Sequence, residues 1–542
     1  MNKLFLICCL YLLSTSVQAQ LPVPEYHKGK ATLSGKIENY NPNDNLDFKI
    51  GVPNLILRGG DTLFPTIEAD GSFHIKIGVY HSTQIALIIG NVGQRILVSP
   101  EKETSVVINL SNKPGKQFIY SGEYAGVNNE LSQPELKQSA PRFYAEEKRL
   151  DKIGSMNANQ LKEYILSEYN KDIAHNNAQL QFSETARTLA NLSCAYGYVE
   201  NLQAAPYTIE IAYQKKNNIT REQAAAALLD ASLPDDFFDC LNQFPVNHPM
   251  ALYCYNYPKV SITTYDKTTL PFDMDRYLQK HAPLSADERA LIQQYETAYK
   301  AGVPFQKHSD LTTLYVNHKE IANQYRWDNI SAAIQNLSRI MQDSTCLFVD
   351  YMRSSYPRFN LLDYTPMTAH QEAVVANITH PLLLSILQDM NQQMQPRKII
   401  LKKKVTVCEA PQVPEKELLS TLIARHKGKV QFIDFWATWC GGCRQTIKEY
   451  EPLKKEMTDD KVAFVYLTGP SSVEKTWNIL IAEIEGEHYW LNQQQWNYLW
   501  NDFKMTGLPM YLLIDKQGNI VKRATHINAK ELKDLLEEEI KK

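Results

Sequence analysis

The chain has 542 residues, more than one hydrophobic core usually supports, so about two to four domains are expected. Its hydrophobic fraction of 44% and charged fraction of 22% are ordinary for a globular protein. The formal net charge of -3 gives no electrostatic reason to expect binding to nucleic acid or to an anionic membrane.

The first twenty residues, MNKLFLICCLYLLSTSVQAQ, resemble a secretory signal peptide. Lys3 precedes an apolar run from Leu4 to Leu13, and the pattern Val17-Gln18-Ala19 precedes Gln20. The run is shorter than the ~20 residues that span a bilayer, which argues against stable membrane insertion. We therefore expect residues 1–19 to be a cleaved signal peptide and the mature protein to lie in the periplasm.

Cys8 and Cys9 would leave with this peptide, and a bacterial lipid anchor on either is not favoured, because Ile7 and Cys8 stand where a small residue is needed. The mature chain then keeps an odd number of scattered cysteines, which is unlike a disulfide framework. Outside the last pair we expect buried thiols, and a bridge between Cys240 and Cys254 stays open. The seven are Cys194, Cys240, Cys254, Cys346, Cys408, Cys440 and Cys443.

Residues 28–122 contain short stretches in which apolar and polar residues alternate. Phe73, Ile75 and Ile77 alternate with polar neighbours, and Asp70-Gly71 is typical of a hairpin turn. The pattern predicts an antiparallel β-sandwich. We find no catalytic constellation there and expect His81 at the surface.

Residues 128–400 have helical periodicity. Ser285 to Glu288 reads as a capping box ahead of an apolar face, and Thr220 to Gln223 is a second one. This pattern predicts a central α-helical domain of antiparallel hairpins. Its aromatic residues are interpreted as packing residues rather than a ligand site.

Residues 405–542 change to an α/β pattern. The apolar run VQFIDFW, 430–436, is typical of a strand buried on both faces, and Cys440 and Cys443 lie between it and an amphipathic helix. Further strands are predicted at 461–468 and 510–514, and a final helix at 529–540. The cysteine pair therefore lies where a strand turns into a helix.

Such a pair could be a zinc half-site, a structural disulfide or a redox centre. No second pair of ligands stands at a convincing spacing, so we predict no metal site and no cofactor. A peroxidase of related fold would need a threonine three residues before its reactive cysteine, where this chain has Ala437.

Residues 405–542 resemble the thioredoxin fold, and more closely the exported thiol-disulfide oxidoreductases of the TlpA/ResA type. The resemblance rests on DFWATWCGGC, on a Gly-Leu-Pro strand about 65 residues later and on the turn DKQGNI. The preceding β-rich and helical regions resemble extensions of such domains in secreted Bacteroidetes proteins. The resemblance implies exchange of a dithiol with cysteines of exported proteins.

The resemblance and the local chemistry together assign roles. Cys440, at the start of a helix, is the expected nucleophile, because unpaired N–H groups and the helix dipole stabilise a thiolate. Cys443 is expected to resolve the mixed disulfide. Asp434, an acid within an apolar strand, is the expected base, or alternatively an acid hydrogen-bonded at the strand end.

Other residues are expected to shape the site. Pro509 corresponds to the family's cis-proline and would place the backbone of Leu508 beside Cys440 for pairing with a substrate peptide. Trp436 and Trp439 are expected to shield the disulfide, and Trp439 also to touch the substrate. Gly441 and Gly442 replace a dipeptide that usually ends in proline, which predicts a looser first turn.

The sequence leaves two questions open. The protein is expected to act as a reductant or isomerase supplied by an unidentified membrane or periplasmic thiol donor, but the direction of electron flow is not determined. The alternative is a partner-binding module in which the thioredoxin domain is a redox-dependent accessory.

Overall fold

The computed structural model describes residues 21–41, 46–229, 233–259, 273–394, 401–402, 404–505 and 507–542. The signal peptide expected at 1–19 lies outside these residues. A β-rich N-terminal region, a helical middle and a C-terminal α/β region follow one another along the chain, as the sequence predicts. No helix in the described part of the chain is both long and apolar enough to cross a membrane.

The N-terminal region forms two four-stranded sheets, with orders β4-β1-β7-β8 and β3-β2-β5-β6. Apolar residues of both sheets, among them Leu33, Ile77, Ile50 and Leu87, belong to one buried cluster. The strands are β1 (Gly29–Ile37), β2 (Phe48–Asn54), β3 (Gly59–Leu63), β4 (Ser72–Val79), β5 (Thr83–Ile89), β6 (Val92–Val98), β7 (Glu103–Ile108) and β8 (Phe118–Gly122).

The strand pairs of this region are antiparallel as expected, with one exception. β1 pairs with β7 in parallel, because the chain between them crosses through β2 to β6. The expectation for His81 is wrong. His81 is buried, with Nε2 2.9 Å from the carbonyl oxygen of Leu252, since the helical region packs on the end of β4. Burial lowers the pKa of His81 to about 4.

The middle region buries its apolar faces in two clusters. The larger one also includes Leu55, Ile56 and Leu97 of the β-rich region, and the smaller one is formed by α7 to α10 and the chain between them. Capping boxes at Thr220 and Ser285 are present as predicted. The α-helices are α1 (Ala125–Leu131), α2 (Glu147–Ile153), α3 (Ala158–Asn177), α4 (Glu184–Gln203), α5 (Ala205–Asn217), α6 (Arg221–Ala227), α7 (Asp273–His281), α8 (Ala286–Lys300), α9 (His308–Asn317), α10 (Lys319–Met341), α11 (Leu347–Ser354), α12 (Arg358–Leu362), α13 (Ala369–Val375) and α14 (Pro381–Gln393).

Short 3-10 helices occupy Phe237–Gln243, Ala251–Tyr253 and Tyr257–Lys259 of the same region. Cys240 and Cys254 are both buried and form no bridge with each other. The thiols of Cys194, Cys346 and Cys408 are free as well.

The C-terminal region is one six-stranded sheet of order β14-β13-β10-β11-β12-β9, in which β10, β11, β12 and β9 run parallel. Helices pack on it in separate buried clusters. The elements are β9 (Val405–Cys408), α15 (Glu415–Ala424), β10 (Val430–Phe435), α16 (Gly441–Glu449), α17 (Glu451–Glu456), β11 (Val462–Thr468), α18 (Glu474–Ile481), β12 (Gly486–Trp490), α19 (Gln493–Asp502), β13 (Met510–Ile514), β14 (Ile520–Ala524) and α20 (Ala529–Lys541).

Candidate redox site

The site is built where the central strand β10 meets α16. Every residue of β10 is buried, and the chain continues through buried Trp436 and Ala437 to Cys440, the N-cap of α16. Cys440 and Cys443 form a disulfide. Cys440 is 6% exposed and Cys443 fully buried, so Cys440 is the sulfur nearer to solvent.

The sulfur of Cys440 accepts a hydrogen bond at the start of α16. Its Sγ accepts from the backbone N–H of Cys443 at 3.1 Å. Backbone N–H groups in the first turn of a helix have no intrahelical acceptor, and the helix dipole adds partial positive charge there. The arrangement can therefore stabilise a thiolate on Cys440.

Asp434 lies on β10 with no exposed surface. Neither carboxyl oxygen has a hydrogen-bond partner, so the alternative of an acid hydrogen-bonded at the strand end is wrong. Burial raises the pKa of Asp434 to about 8, and the charge of Lys454 opposes that rise. At neutral pH the carboxyl mostly holds its proton and can lose it on the alkaline side.

The register of the sheet places Asp434 in a row of polar side chains. Asp434 stands opposite Tyr511 on β13 and Tyr466 on β11, and Tyr466 stands opposite His488 on β12. Paired residues project from the same face of a sheet. Tyr466 also packs in the cluster that contains both cysteines, so this row lies on the face of the sheet that supports the disulfide.

The loop after β10 is fixed by hydroxyl groups that sequence reasoning missed. Ser472 Oγ accepts from the backbone N–H of Thr438 at 3.1 Å and lies 2.9 Å from Thr468 Oγ1. Thr438 Oγ1 in turn accepts from the N–H of Val473 at 3.3 Å. The Ser-Ser pair that follows Gly-Pro at the end of β11 is the sequence feature from which these hydroxyl contacts could have been predicted. These hydrogen bonds fix the loop that leads from β10 to Cys440.

The tryptophans take different positions. Trp436 is fully buried in the cluster with the cysteines. Trp439 is 53% exposed, and its Nε1 donates to Ser471 Oγ at 3.3 Å. The exposed ring stands one residue before Cys440, where an approaching molecule would meet it.

Leu508 and Pro509 precede β13. Their peptide bond is cis, the geometry that the resemblance implies. Leu508 is half-buried and packs against the cluster of the two cysteines. An added Cβ would meet nothing within 4 Å at Gly441 or Gly442, so neither position requires glycine for space.

The sequence analysis also did not identify Lys454 as a buried residue near the site. It is 5% exposed, and its Nζ donates to the carbonyl oxygen of Glu485 at 2.9 Å. It follows Tyr450 by four positions and Ile447 by seven, both buried, which was a signal that this lysine faces inward. In the described part of the chain no group of three or more His, Cys, Asp and Glu side chains could hold a metal ion.

Residues 420–540 match the family model described as a thioredoxin-like domain. The chain contains a thioredoxin-like domain. The match supports an oxidoreductase activity for residues 420–540. Among curated proteins, thioredoxin-like protein YneN of Bacillus subtilis (strain 168) is 36% identical over 80 residues, which are 14% of this chain and 47% of that protein. The chain thus spans about half the length of this relative.

Two solved structures resemble part of this chain. The thioredoxin domain of a thiol-disulfide oxidoreductase from Bacteroides vulgatus is 19% identical with a TM-score of 0.19, covering 21% of this chain and 81% of that one. A thiol:disulfide interchange protein of the thioredoxin family from Chlorobium tepidum TLS is 19% identical with a TM-score of 0.19, covering 22% of this chain and 83% of that one.

Proposed function

We propose that the protein is an exported thiol-disulfide oxidoreductase that exchanges the Cys440/Cys443 pair with cysteines of envelope proteins, as a reductant or isomerase. The observation that carries the proposal is the placement of the disulfide. Cys440 caps a helix and is the more exposed sulfur, while Cys443 is buried one turn further on. A structural bridge would not need an acid of raised pKa on the supporting face of the sheet.

The chemistry follows from that placement. In the reduced protein the Cys440 thiolate attacks a substrate disulfide, forming a mixed disulfide and releasing one substrate thiolate. Cys443 then gives its proton to Asp434 and attacks Cys440 Sγ. The bond between Cys440 and the substrate breaks, and its electrons leave on the second substrate sulfur. The substrate is reduced by two electrons and the Cys440–Cys443 bond re-forms.

The proposal includes the type of the redox domain, the fold of the N-terminal region and the export of the protein. The motif DFWATWCGGC supports a TlpA/ResA-type domain. The apolar cluster shared by the two N-terminal sheets supports a β-sandwich over residues 28–122. The pattern of residues 1–19 supports export to the periplasm, where exported proteins with cysteines would be partners and a membrane or periplasmic protein the thiol donor.

A trapping experiment tests the exchange. Cys443→Ser removes the resolving thiol, so Cys440 should retain substrates as mixed disulfides that reductant releases and mass spectrometry identifies. The double variant Cys440→Ser/Cys443→Ser should trap nothing. Cys408→Ser is the matched control, since this half-buried thiol of the same domain takes no part in the disulfide. Capture by the single variant no greater than by the double variant would contradict the proposal.

One observation favours the alternative of a partner-binding module. The helices that flank the disulfide contact both preceding regions: Lys448 Nζ on α16 lies 2.9 Å from Asp61 Oδ1, and Thr476 Oγ1 on α18 donates to the carbonyl oxygen of Asp363 at 3.3 Å. The extension is thus placed to influence what reaches Cys440. Insulin reduction that Cys440→Ser abolishes supports the enzyme, whereas wild-type protein inactive with every reductant supports the binding module.

A further inference from the structure

Two contacts join the C-terminal domain to the extension, the β-rich and helical regions that precede it. Lys448 Nζ, on α16, lies 2.9 Å from Asp61 Oδ1 of β3. Thr476 Oγ1, on α18, donates at 3.3 Å to the carbonyl oxygen of Asp363, the residue after α12. Residues of α16 and α18 share one buried cluster with the two cysteines of the disulfide. The extension therefore contacts the domain through the two helices that flank the redox site.

The contact at Thr476 lies at the same edge of the sheet as the disulfide. β10 and β11 run parallel, so the chain leaves both strands at one edge. Cys440 follows β10 there, and Thr476 follows β11. The loops after the two strands are bonded to each other, because Thr438 Oγ1 accepts from the N–H of Val473 at 3.3 Å. Thr476 is one helical turn beyond Val473, so the carbonyl group that it binds is held at the rim of the redox site.

The two anchoring residues of the extension belong to one packed unit. The turn between β2 and β3 lies against α11, where Arg58 Nη2 donates to Met352 Sδ at 2.9 Å. The same guanidinium lies over the ring of Tyr351, 4.8 Å from its centroid. α12 follows α11 directly, and Asp363 at its end forms an ion pair with Lys319 of α10, with 2.5 Å between Oδ2 and Nζ. The loop after α12 is thus fixed on three sides, by α10, by α11 and by the redox domain.

The route by which a partner reaches Cys440 lies on the side of Trp439. The ring of Trp439 is the exposed group next to Cys440, whereas Ser471 and Ser472 of the loop after β11 are buried. Trp439 Nε1 donates to Ser471 Oγ at 3.3 Å, which holds the ring beside this loop. The approach to the sulfur is therefore bounded by a buried loop that leads to Thr476 and to the extension.

We propose that residues 363–366, the loop after α12, form a fixed wall of the substrate site and make the enzyme specific for disulfides in extended segments or small molecules. The inference rests on the proposed function. A narrow chain fits beside Cys440 and can pair with the backbone of Leu508. A disulfide on a folded domain brings bulk against the wall, which counts against that substrate. Thr476 and Lys448 are positioning residues, because they hold the wall in place.

Opening the two anchors tests the proposal. Asp61→Lys places a second cation beside Lys448, and Thr476→Val removes the hydroxyl donor while it keeps the shape of the side chain. In the full-length double variant, hydrogen exchange of backbone amides should become faster in residues 362–366 and 474–478. The reduced protein is then alkylated at Cys440 by iodoacetamide or by maleimide coupled to ovalbumin. The rate with the ovalbumin reagent, relative to iodoacetamide, should rise about tenfold over wild type.

Matched variants separate the wall from a general loss of structure. Adding Lys448→Asp to the double variant restores the ion pair with its charges exchanged, and the relative rate should return towards the wild-type value. Glu68→Lys is the control, because it reverses an exposed charge elsewhere in the β-rich region. Asp61→Lys alone alters one exposed side chain, and it should show a smaller shift in the same direction if the double variant fails to fold. An unchanged relative rate, or unchanged hydrogen exchange, would overturn the proposal.

Turnover distinguishes this failure from failure of the proposed function. The double variant should gain activity on insulin, a folded protein, relative to its activity on dye-labelled glutathione disulfide. Alkylation of Cys440 needs no disulfide exchange, so it reports the wall alone. Shifted alkylation without any Cys440-dependent turnover refutes the proposed function and leaves the wall in place. Cys440-dependent turnover with unshifted alkylation refutes the wall.

Discussion

Asp434 makes the stability of the C-terminal domain depend on pH in a direction unusual for a carboxyl group. Its folded-state pKa of about 8 lies above the ordinary value of 3.8, because burial penalises the carboxylate. The folded protein therefore binds this proton more tightly than the unfolded chain. The stability from this group is fully present below pH 4 and is lost as the pH rises to about 8.

The magnitude follows from linkage. Between pH 5 and 7 the group is protonated when folded and ionised when unfolded, so the free energy of unfolding falls by about 1.4 kcal/mol per pH unit. Asp434→Asn does not titrate. The difference in unfolding free energy between Asp434→Asn and wild type should grow in favour of asparagine by about 2 to 3 kcal/mol between pH 5 and 7. Histidines that titrate in this range, such as His81, contribute equally to both proteins and cancel.

Urea unfolding of the oxidised full-length protein, followed by tryptophan fluorescence, measures this difference. Six of the seven tryptophans lie in the C-terminal domain, with Trp327 the exception, so the signal reports mainly that domain. The change with pH is the informative quantity, since an asparagine amide without partners has a constant cost of its own. Parallel stability curves for the two proteins from pH 5 to 7 would refute the raised pKa of Asp434.

Two further predictions concern glycines. Gly442→Pro should stabilise the domain towards urea by about 0.4 to 1 kcal/mol, because proline is compatible with the first turn of a helix and reduces the entropy of the unfolded chain, and a loss of stability would contradict this. Gly469→Ala should destabilise the domain by about 1 to 3 kcal/mol, since the added methyl group would overlap the buried ring of Trp496. Gly507→Ala is the control and should change the stability little, because an added Cβ there meets nothing within 4 Å. Equal effects of the two substitutions on the urea unfolding midpoint would contradict a limiting contact with Trp496.

The C-terminal domain was predictable because its local patterns and its topology agree. The strand expected at 430–436 is Val430–Phe435, and the helix expected at 529–540 is Ala529–Lys541. Largely apolar strands, a cysteine pair at a strand-to-helix turn and a Gly-Leu-Pro segment follow one another in an order that favours one fold. Cys440, Cys443 and Asp434 could therefore be proposed as one site from the sequence.

The features that sequence missed depend on contacts between distant segments. Lys454 looks like one of the two solvated lysines in EPLKKE, and only the packing of α17 on the sheet shows that it is buried. His81 is buried by residues about 170 positions further along the chain. The parallel pairing of β1 with β7 likewise arises from a crossover that alternation of apolar residues does not reveal. Periodicity reports which face is apolar, not what covers it.

The proton on Asp434 connects the structure of the oxidised protein with the direction of exchange. At neutral pH a pKa of about 8 leaves the carboxyl protonated in the disulfide form. Under the proposed function, a thiol donor that attacks Cys440 expels Cys443 as a thiolate in a buried site, where an unprotonated sulfur is costly. Asp434 can supply that proton and recover it when Cys443 next resolves a mixed disulfide. A buried acid with a raised pKa suits both halves of such a cycle.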